Sequence, residues 1–292
     1  MNSDELKRWC DSQGSFLPLS HLTSCYLRKS LVMGVLNITP DSFSDGGQFL
    51  DVEAAFDRAQ MMIEQGADII DIGGESSKPG AVPVDCVDEI ARVVPVIRRI
   101  RCQSDICISI DTCKAGVMLA AIDAGASMIN DIYALKGKRA LQVAASLNVP
   151  VCLMHMRGTP QTMQNNPQYE INVVYEINAF FQERIKACEQ AGIAREQLIL
   201  DPGFGFGKSV QHNLTLLQRL KSFQCHGLPI LLGVSRKSTL GAVLHKDIHE
   251  RMPGGLAVAA FAVLNGVTII RTHDVGETNQ ALQMLEAIVS AC

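Results

Sequence analysis

The sequence has few aromatic residues. Tryptophan occurs once, and Phe, Tyr and Trp together make up 5% of the 292 residues. Aliphatic side chains must therefore fill any core the chain builds. It also lacks an excess of positive charge, with 26 Lys and Arg against 30 Asp and Glu and a formal net charge of −4. That excludes a chain-wide electrostatic attraction to nucleic acid or an anionic membrane, and confines anion binding to a local cluster. No apolar run approaches the roughly 18 residues that a membrane span requires. The start, Met1–Gly14, is polar and mixed in charge and has no apolar centre of a secretory signal. Ten cysteines occur, but none in a C-x-x-C pair, and Cys102, Cys107 and Cys113 lack zinc-site spacing. They are expected as reduced, packed small hydrophobes in a cytoplasmic protein. Long linkers and low-complexity tracts are absent as well.

What is present is repetition. Hydrophobic residues make up 47% of the chain and charged ones 19%, the balance of a folded globular protein. Eight short apolar runs recur: Leu31–Leu36, Asp68–Ile72, Ile106–Ile110, Ser127–Asn130, Val149–Met154, Leu198–Leu200, Ile230–Leu232 and Val267–Ile270. Their near-continuous apolar character suits parallel strands buried on both faces. Between them lie helical patterns. Val87, Ile90, Val94 and Ile97 step by three and four, as do Val174, Ile177, Phe181, Ile185 and Cys188, and Leu282, Leu285 and Val289. Gly66 and Gly125 fall where helix C-caps would feed the next strand. Eight β-then-α units favour an α/β (β/α)8 barrel over an open sheet, and the length suffices for the roughly 250 residues of that fold. Residues 1–30 are expected as an N-terminal extension across the bottom of the barrel, and 31–292 as the barrel itself.

Each run is followed by polar or ionisable groups. Asn37 follows the first and Asp71 ends the second, ahead of Gly73–Gly80. Asp111 ends the third, and Asn130 and Asp131 the fourth. His155 follows the fifth, Asp201 the sixth, Ser235, Arg236 and Lys237 the seventh, and Arg271 and His273 the eighth. One such residue is most often a helix cap. Groups after all eight strands of a barrel converge on its C-terminal mouth, where active sites of this fold are built. They divide by chemistry. Asp111, Asn130 and Asp201 offer acceptors and one amide donor, suited to the N–H edge of an amino-heterocycle. Lys237, Arg271 and His273 offer donors and positive charge, suited to a phosphate or diphosphate. Gly203–Ser209 imitates two nucleotide motifs without completing either, because Pro202 and Lys208 stand at required glycine positions. Its alternating Gly and Phe are expected to set aromatic faces beside a flat ligand.

At this point the motifs resemble those of the dihydropteroate synthase family. Asn37–Gly47 is similar to that family's first loop and Asp71–Ser76 to its second. Asp111-Thr112, Asn130-Asp131, Met154–Gly158, Asp201–Lys208, Ser235–Lys237 and Arg271–Asp274 resemble the later motifs in order. The resemblance implies a (β/α)8 barrel, a homodimer, and condensation of 6-hydroxymethyl-7,8-dihydropterin pyrophosphate with p-aminobenzoate in folate synthesis. It implies that Asp111, Asn130, Asp201 and Lys237 bind the pterin, with Ile132, Met154, Phe204 and Gly233 lining its slot. Asn37, Lys78, Arg271 and His273 would hold pyrophosphate, with Mg²⁺ near Asn37. Ser77, Lys78, Pro79, Phe206, Ser235 and Lys237 would surround p-aminobenzoate. Catalysis would rest on Asp111, Lys237, Arg271 and His273, under two loops, roughly residues 38–50 and 74–82, that close.

One departure bears on that site: where the family commonly reads Ser-Thr-Arg-Pro-Gly, this chain has Ser76-Ser77-Lys78-Pro79-Gly80. Ser77 keeps the hydroxyl, and Lys78 keeps the charge but loses the bidentate fork of arginine. Two rival readings predict different sequences. A pterin-dependent methyltransferase barrel would share the acidic and amide set but lack the Ser-Arg-Lys and Arg-x-His clusters. A non-catalytic pterin-binding paralogue would have degraded first and second loops.

Overall fold

Strands and helices alternate along the chain in a computed structural model. It describes residues 2, 4, 5, 8, 30–38 and 47–291, for 47–51 the backbone alone. The extension expected beneath the barrel, apart from those few residues, and positions 39–46 of the first loop lie outside the described residues. The strands are β1 (Leu31–Asn37), β2 (Ile69–Gly73), β3 (Cys107–Asp111), β4 (Met128–Asp131), β5 (Val151–Met154), β6 (Leu198–Asp201), β7 (Leu231–Gly233) and β8 (Ile269–Thr272). The helices between and after them are α1 (Gly47–Glu64), α2 (Cys86–Arg101), α3 (Ala115–Asp123), α4 (Ala140–Leu147), α5 (Val173–Gln190), α6 (Val210–Gln218), α7 (Ser238–Leu244), α8 (Met252–Leu264) and α9 (Val275–Val289).

All strand pairs are parallel, in the order β6-β5-β4-β3-β2-β1-β8-β7. A bridge between Leu200 and Ile230 closes the ring, and Leu200 N–H donates to the Pro229 carbonyl at 2.9 Å. The result is the expected (β/α)8 barrel. Several strands run past the apolar stretch that marks them in the sequence, so β3 ends on Asp111, β4 on Asp131 and β6 on Asp201. Backbone pairing continues beneath side chains at which a hydrophobic pattern stops.

The period of two sorts the side chains. Val32, Ile70, Ile72, Ile108, Ile110, Ile129, Leu153, Leu200, Leu232 and Ile270 point outward into the layer shared with the helices. Gly34 sits on that outer face, where a Cβ would lie 2.8 Å from Met62 Sδ and 3.0 Å from Val275, so α1 and α9 close tightly over it. Leu31, Met33, Ile69, Cys107, Met128, Cys152, Ile199, Leu231 and Ile269 form a separate buried cluster inside the barrel. Two residues further along most strands, the inward positions turn polar: Asp71, Ser109, Asn130, Asp201 and Arg271. The floor is therefore apolar and the mouth polar.

One helix departs in part from its expected face: Ile90, Val94 and Ile97 pack on the core, but Val87 does not. In α2 the buried residues are Glu89, Val93, Val96, Ile97 and Ile100, whereas Val87 is 72% exposed. The stripe is rotated because a carboxylate, Glu89, occupies a core-facing position and is matched by a cation from the next unit.

Candidate active site

The mouth is organised around Asp71, Asp111 and Arg271. Asp71 lies one layer below the rim and is fully buried. Its Oδ2 accepts from Arg271 Nε at 2.6 Å and from Asn130 Nδ2 at 3.1 Å. Arg271 Nη2 also donates to Asp111 Oδ2 at 2.8 Å. The guanidinium thus spans from β8 to β2 and β3, and Asn130 is held from β4. Burial depresses the Arg271 pKa, but the charges of Asp71 and Asp111 outweigh it and leave the group above its ordinary value. Burial pushes the Asp111 carboxyl up to about 7, against the opposing charge of Arg271. Across the rim, strand pairing sets Asn37 beside Gly73 and Gly73 beside Asp111. Ser77, Ile132 and Lys114 share one small cleft with Asp111.

The opposite wall comes from β6, β7 and their loops. Asp201 Oδ1 accepts from Gly203 N–H at 2.7 Å, the first contact of a tightly folded loop. Gly203, Gly205 and Gly207 all have positive φ. A Cβ on Gly203 would stand 1.9 Å from the His155 carbonyl oxygen. The Lys208 Nζ is buried within this loop, 2.8 Å from the Gly203 carbonyl, 3.0 Å from that of Phe206 and 3.0 Å from His155 Nδ1. Lys208 and His155 thus fix the loop from behind, and His155 packs edge-on against Phe180. Lys237 completes the wall: its Nζ donates to the Phe204 carbonyl at 2.7 Å and lies 3.8 Å above the centre of the Phe206 ring. Burial lowers the Lys237 pKa to about 7, despite the charge of Asp201.

The β7–α7 turn presents Ser235 and Lys237 together. Arg236 between them has a φ of 60°, a left-handed conformation that costs a non-glycine residue about 1–2 kcal/mol. The turn is held by the ion pair of Arg236 with Asp274 and by Arg251 Nη1, which donates to the Arg236 carbonyl at 3.1 Å. Ser235 Oγ accepts the His273 N–H at 3.2 Å and lies 3.1 Å from His273 Nδ1. If the hydroxyl donates to Nδ1 and not to Asp274 Oδ2, 3.4 Å away, the Nε2 of His273 carries the proton. Burial, with the charges of Arg271 and Arg236, lowers the His273 pKa to about 4, so the ring is neutral at pH 7.

A model of the pterin-binding enzyme family matches residues 33–273. Over 280 residues the chain is 49% identical to the dihydropteroate synthase of Escherichia coli K12, covering 96% of each chain. Its fold matches that of the Yersinia pestis dihydropteroate synthase solved with a sulfonamide drug, with a TM-score of 0.86, 46% identity, and 94% and 99% of the two chains covered. It also matches the Xanthomonas albilineans dihydropteroate synthase in complex with 7,8-dihydropteroate, with a TM-score of 0.82, 42% identity, and 91% and 96% covered. The chain belongs to the dihydropteroate synthases. As a member of that family it is a transferase of folate synthesis.

Read as a dihydropteroate synthase site, the mouth gathers most of the residues singled out in the sequence. Asp111, Asn130, Asp201, Lys237, Arg271 and His273 all lie at strand ends or in the turns that follow them, and Asn37, Met154 and Gly233 close β1, β5 and β7. One expectation changes. Phe204 is buried in the outer core and offers Lys237 its carbonyl, so Phe206 alone presents a ring beside the lysine. Ser235 sits with His273. Lys78 and Pro79 line an open cleft with Asp85, Asp88 and Arg92. Asp131 and Asp274 are supports: Asp131 accepts from the Tyr133 and Leu135 N–H groups, and Asp274 pairs with Arg236. Sequence reasoning missed the direct Arg271–Asp111 pair, and it missed Lys114 altogether. Lys114 makes ion pairs with Glu75 and with Glu89. The signal was available: Glu89 stands on the apolar stripe of α2, four residues before Val93, where an acid needs a buried partner.

Proposed function

We propose that the chain condenses 6-hydroxymethyl-7,8-dihydropterin pyrophosphate with p-aminobenzoate at this mouth, releasing 7,8-dihydropteroate and pyrophosphate by an SN1-like path. The observation that carries the reading is the side-by-side arrangement of two sets. Asp111, Asn130 and Asp201 are acceptors for an amino-heterocycle, and Lys237, Arg271 and His273 are donors for its anionic leaving group. The p-aminobenzoate amine is a weak nucleophile because its lone pair is delocalised into the ring. Catalysis must therefore ease departure of the leaving group. The C–O bond breaks with its electron pair going to pyrophosphate. The amine lone pair then forms the C–N bond, and the nitrogen loses a proton.

Arg271 is pre-oriented for that departure, since Asp71 and Asp111 fix its Nε and Nη2 while Nη1 donates to no described residue. Neutral His273 adds a ring N–H. Asp111, ionised, stabilises the cation-like pterin carbon. Asn130, Asp201 and Lys237 hold the ring, with Ile132, Met154 and Gly233 around it. Ser77, Lys78, Pro79 and Phe206 receive p-aminobenzoate once the second loop closes and excludes water, which would otherwise hydrolyse the cation.

Among the described residues no group of three His, Cys, Asp or Glu could hold a metal. A single amide oxygen, from Asn37 at the rim, suits Mg²⁺, which keeps several waters and binds through substrate phosphates. Bound there, Mg²⁺ would supply charge neutralisation to the departing pyrophosphate. A cytoplasmic setting belongs to this proposal. A homodimer is part of the same proposal, on grounds given in the Discussion.

The test is an assay of purified protein with dihydropterin pyrophosphate, Mg²⁺ and p-aminobenzoate, following dihydropteroate and pyrophosphate together. Both should appear in equal amounts, and both should be lost in Lys237→Ala. Pterin binding without product would instead support a non-catalytic paralogue.

A further inference from the structure

We propose that Lys114 is a positioning residue that latches the base of the second loop, from which Ser77 and Lys78 reach p-aminobenzoate when the loop closes. The inference rests on the p-aminobenzoate role given above to that loop. Lys114 follows Asp111 by three residues, in the turn from β3 to α3, and makes ion pairs with two carboxylates from the neighbouring unit. One, Glu75, opens the second loop. The other, Glu89, lies on α2 beneath it and is fully buried, with Oε1 lacking any hydrogen-bond partner.

The Glu75 carboxylate is what turns the ion pair into a latch. Its Oε2 accepts the Val84 N–H at 2.9 Å, closing residues 75–84 into a ring held at one point by Lys114. The same ring carries Ser77, Lys78 and Pro79. Its remaining ties lie elsewhere: Arg92 Nη1 donates to the Gly74 carbonyl at 2.8 Å, Gly80 N–H to the Pro160 carbonyl at 3.1 Å, and Gln161 Nε2 to the Ala81 carbonyl at 2.9 Å. Gly74 itself has no room to shift toward α2, because a Cβ there would meet Glu89 Cγ and Val93 Cγ1 at 2.9 Å. Lys114 and Ser77 line the same small cleft beside Asp111. The latch therefore ties the p-aminobenzoate loop to α2 and to the β3–α3 turn through one side chain, beside Asp111.

The chemistry explains why a lysine is needed. A fully buried carboxylate with one unsatisfied oxygen is costly unless a cation faces it. Burial pulls the Lys114 pKa down, but the two carboxylates outweigh that and keep it above its ordinary value, so the ammonium persists at neutral pH. An energetically demanding core pair is retained where its third member governs a loop.

Glu75→Gln tests this without stranding Glu89. The amide still accepts the Val84 N–H, but it forfeits the ion pair to Lys114. The KM for p-aminobenzoate should rise by about fivefold to tenfold, the loss of one charge-assisted contact. The KM for the dihydropterin pyrophosphate and kcat should stay within about twofold, since Asp111 and Arg271 are untouched. Hydrogen exchange in ligand-free protein gives a readout independent of catalysis: amides of 76–84 should exchange about tenfold faster in E75Q. Lys114→Arg, which keeps the charge, should restore the slow exchange that Lys114→Met loses. Equal losses for both substrates, or unchanged exchange in E75Q, overturn the proposal. Absence of dihydropteroate from wild-type protein would fail the function above, while the exchange result would still decide the latch.

Discussion

Asp111 and Lys237 place opposite demands on pH. Burial raises the one and lowers the other, each to about 7. The reaction needs the Asp111 carboxylate and the Lys237 ammonium. As pH falls below 7, Asp111 takes up a proton and the acid limb drops; as pH rises above 7, Lys237 loses one and the alkaline limb drops. The profile of kcat/KM, which reports the free enzyme, should therefore be a narrow bell near neutrality. Lys237→Arg keeps its charge far above that range. It should lower the maximum and abolish the alkaline limb while leaving the acid limb in place. Persistence of the alkaline limb in that variant would assign it to another group. At this scale the site was legible where a polar residue ended an apolar run, as with Asp111, Asn130 and Asp201. It was not legible where function depends on pairing across strands. Nothing in the sequence places Arg271 on Asp111, 160 positions away. Lys114 in a loop reads like any solvated lysine until Glu89 is seen to face the core.

At the scale of the element, the Gly203–Lys208 loop resembles nucleotide motifs in spelling but is built for another purpose. Its glycines let the backbone pass against the end of β5, while Lys208 holds three acceptors from beneath. A flexible turn would have needed none of this. Gly203→Ala faces two costs, a φ of 68° and a Cβ 1.9 Å from the His155 carbonyl oxygen. Gly192→Ala faces only the first, with a φ of 94° and open space around the Cβ. Urea unfolding should show Gly192→Ala losing about 1 kcal/mol and Gly203→Ala at least about 2–3 kcal/mol. Gly203→Ala should also weaken pterin binding, because Asp201 loses its loop partner. Equal losses in the two variants would mean that the loop yields and is not a fixed wall. The helical stripes show the complementary limit of sequence reading. Periodicity found α2 and, in Ile90, Val94 and Ile97, part of its core-facing side, but it misplaced Val87 and passed over Glu89, because it assumes that a buried position is apolar.

Across the whole molecule, the eightfold repeat of apolar run and amphipathic segment made the barrel readable, since each unit carries the same signal. What no single unit reveals is which outer surface remains to be covered. Helix α8 reads MPGGLAVAAFAVL, without a charged or amide side chain. A helix apolar on all sides belongs in a core, yet only Ala259, Ala262 and Val263 are buried against the barrel. Phe261 is 45% and Leu264 49% exposed, and on neighbouring α7 Val243 is 48% and Leu244 42% exposed. A second copy of the chain would cover this patch with its own equivalent, as a two-fold axis requires. The wild-type protein should sediment at twice the 31.7 kDa chain mass. Phe261→Glu sets a carboxylate into the centre of such an interface, where two copies would face each other unpaired, at a cost of several kcal/mol. That variant should sediment as a folded monomer with an unchanged circular dichroism spectrum. Since every residue of the proposed site belongs to one chain, the monomer should keep pterin binding, and any loss of turnover would have to come through the Arg236 turn, which Arg251 ties to the start of α8. A wild-type protein that sediments as a monomer would leave the patch facing water and remove the dimer from the proposal.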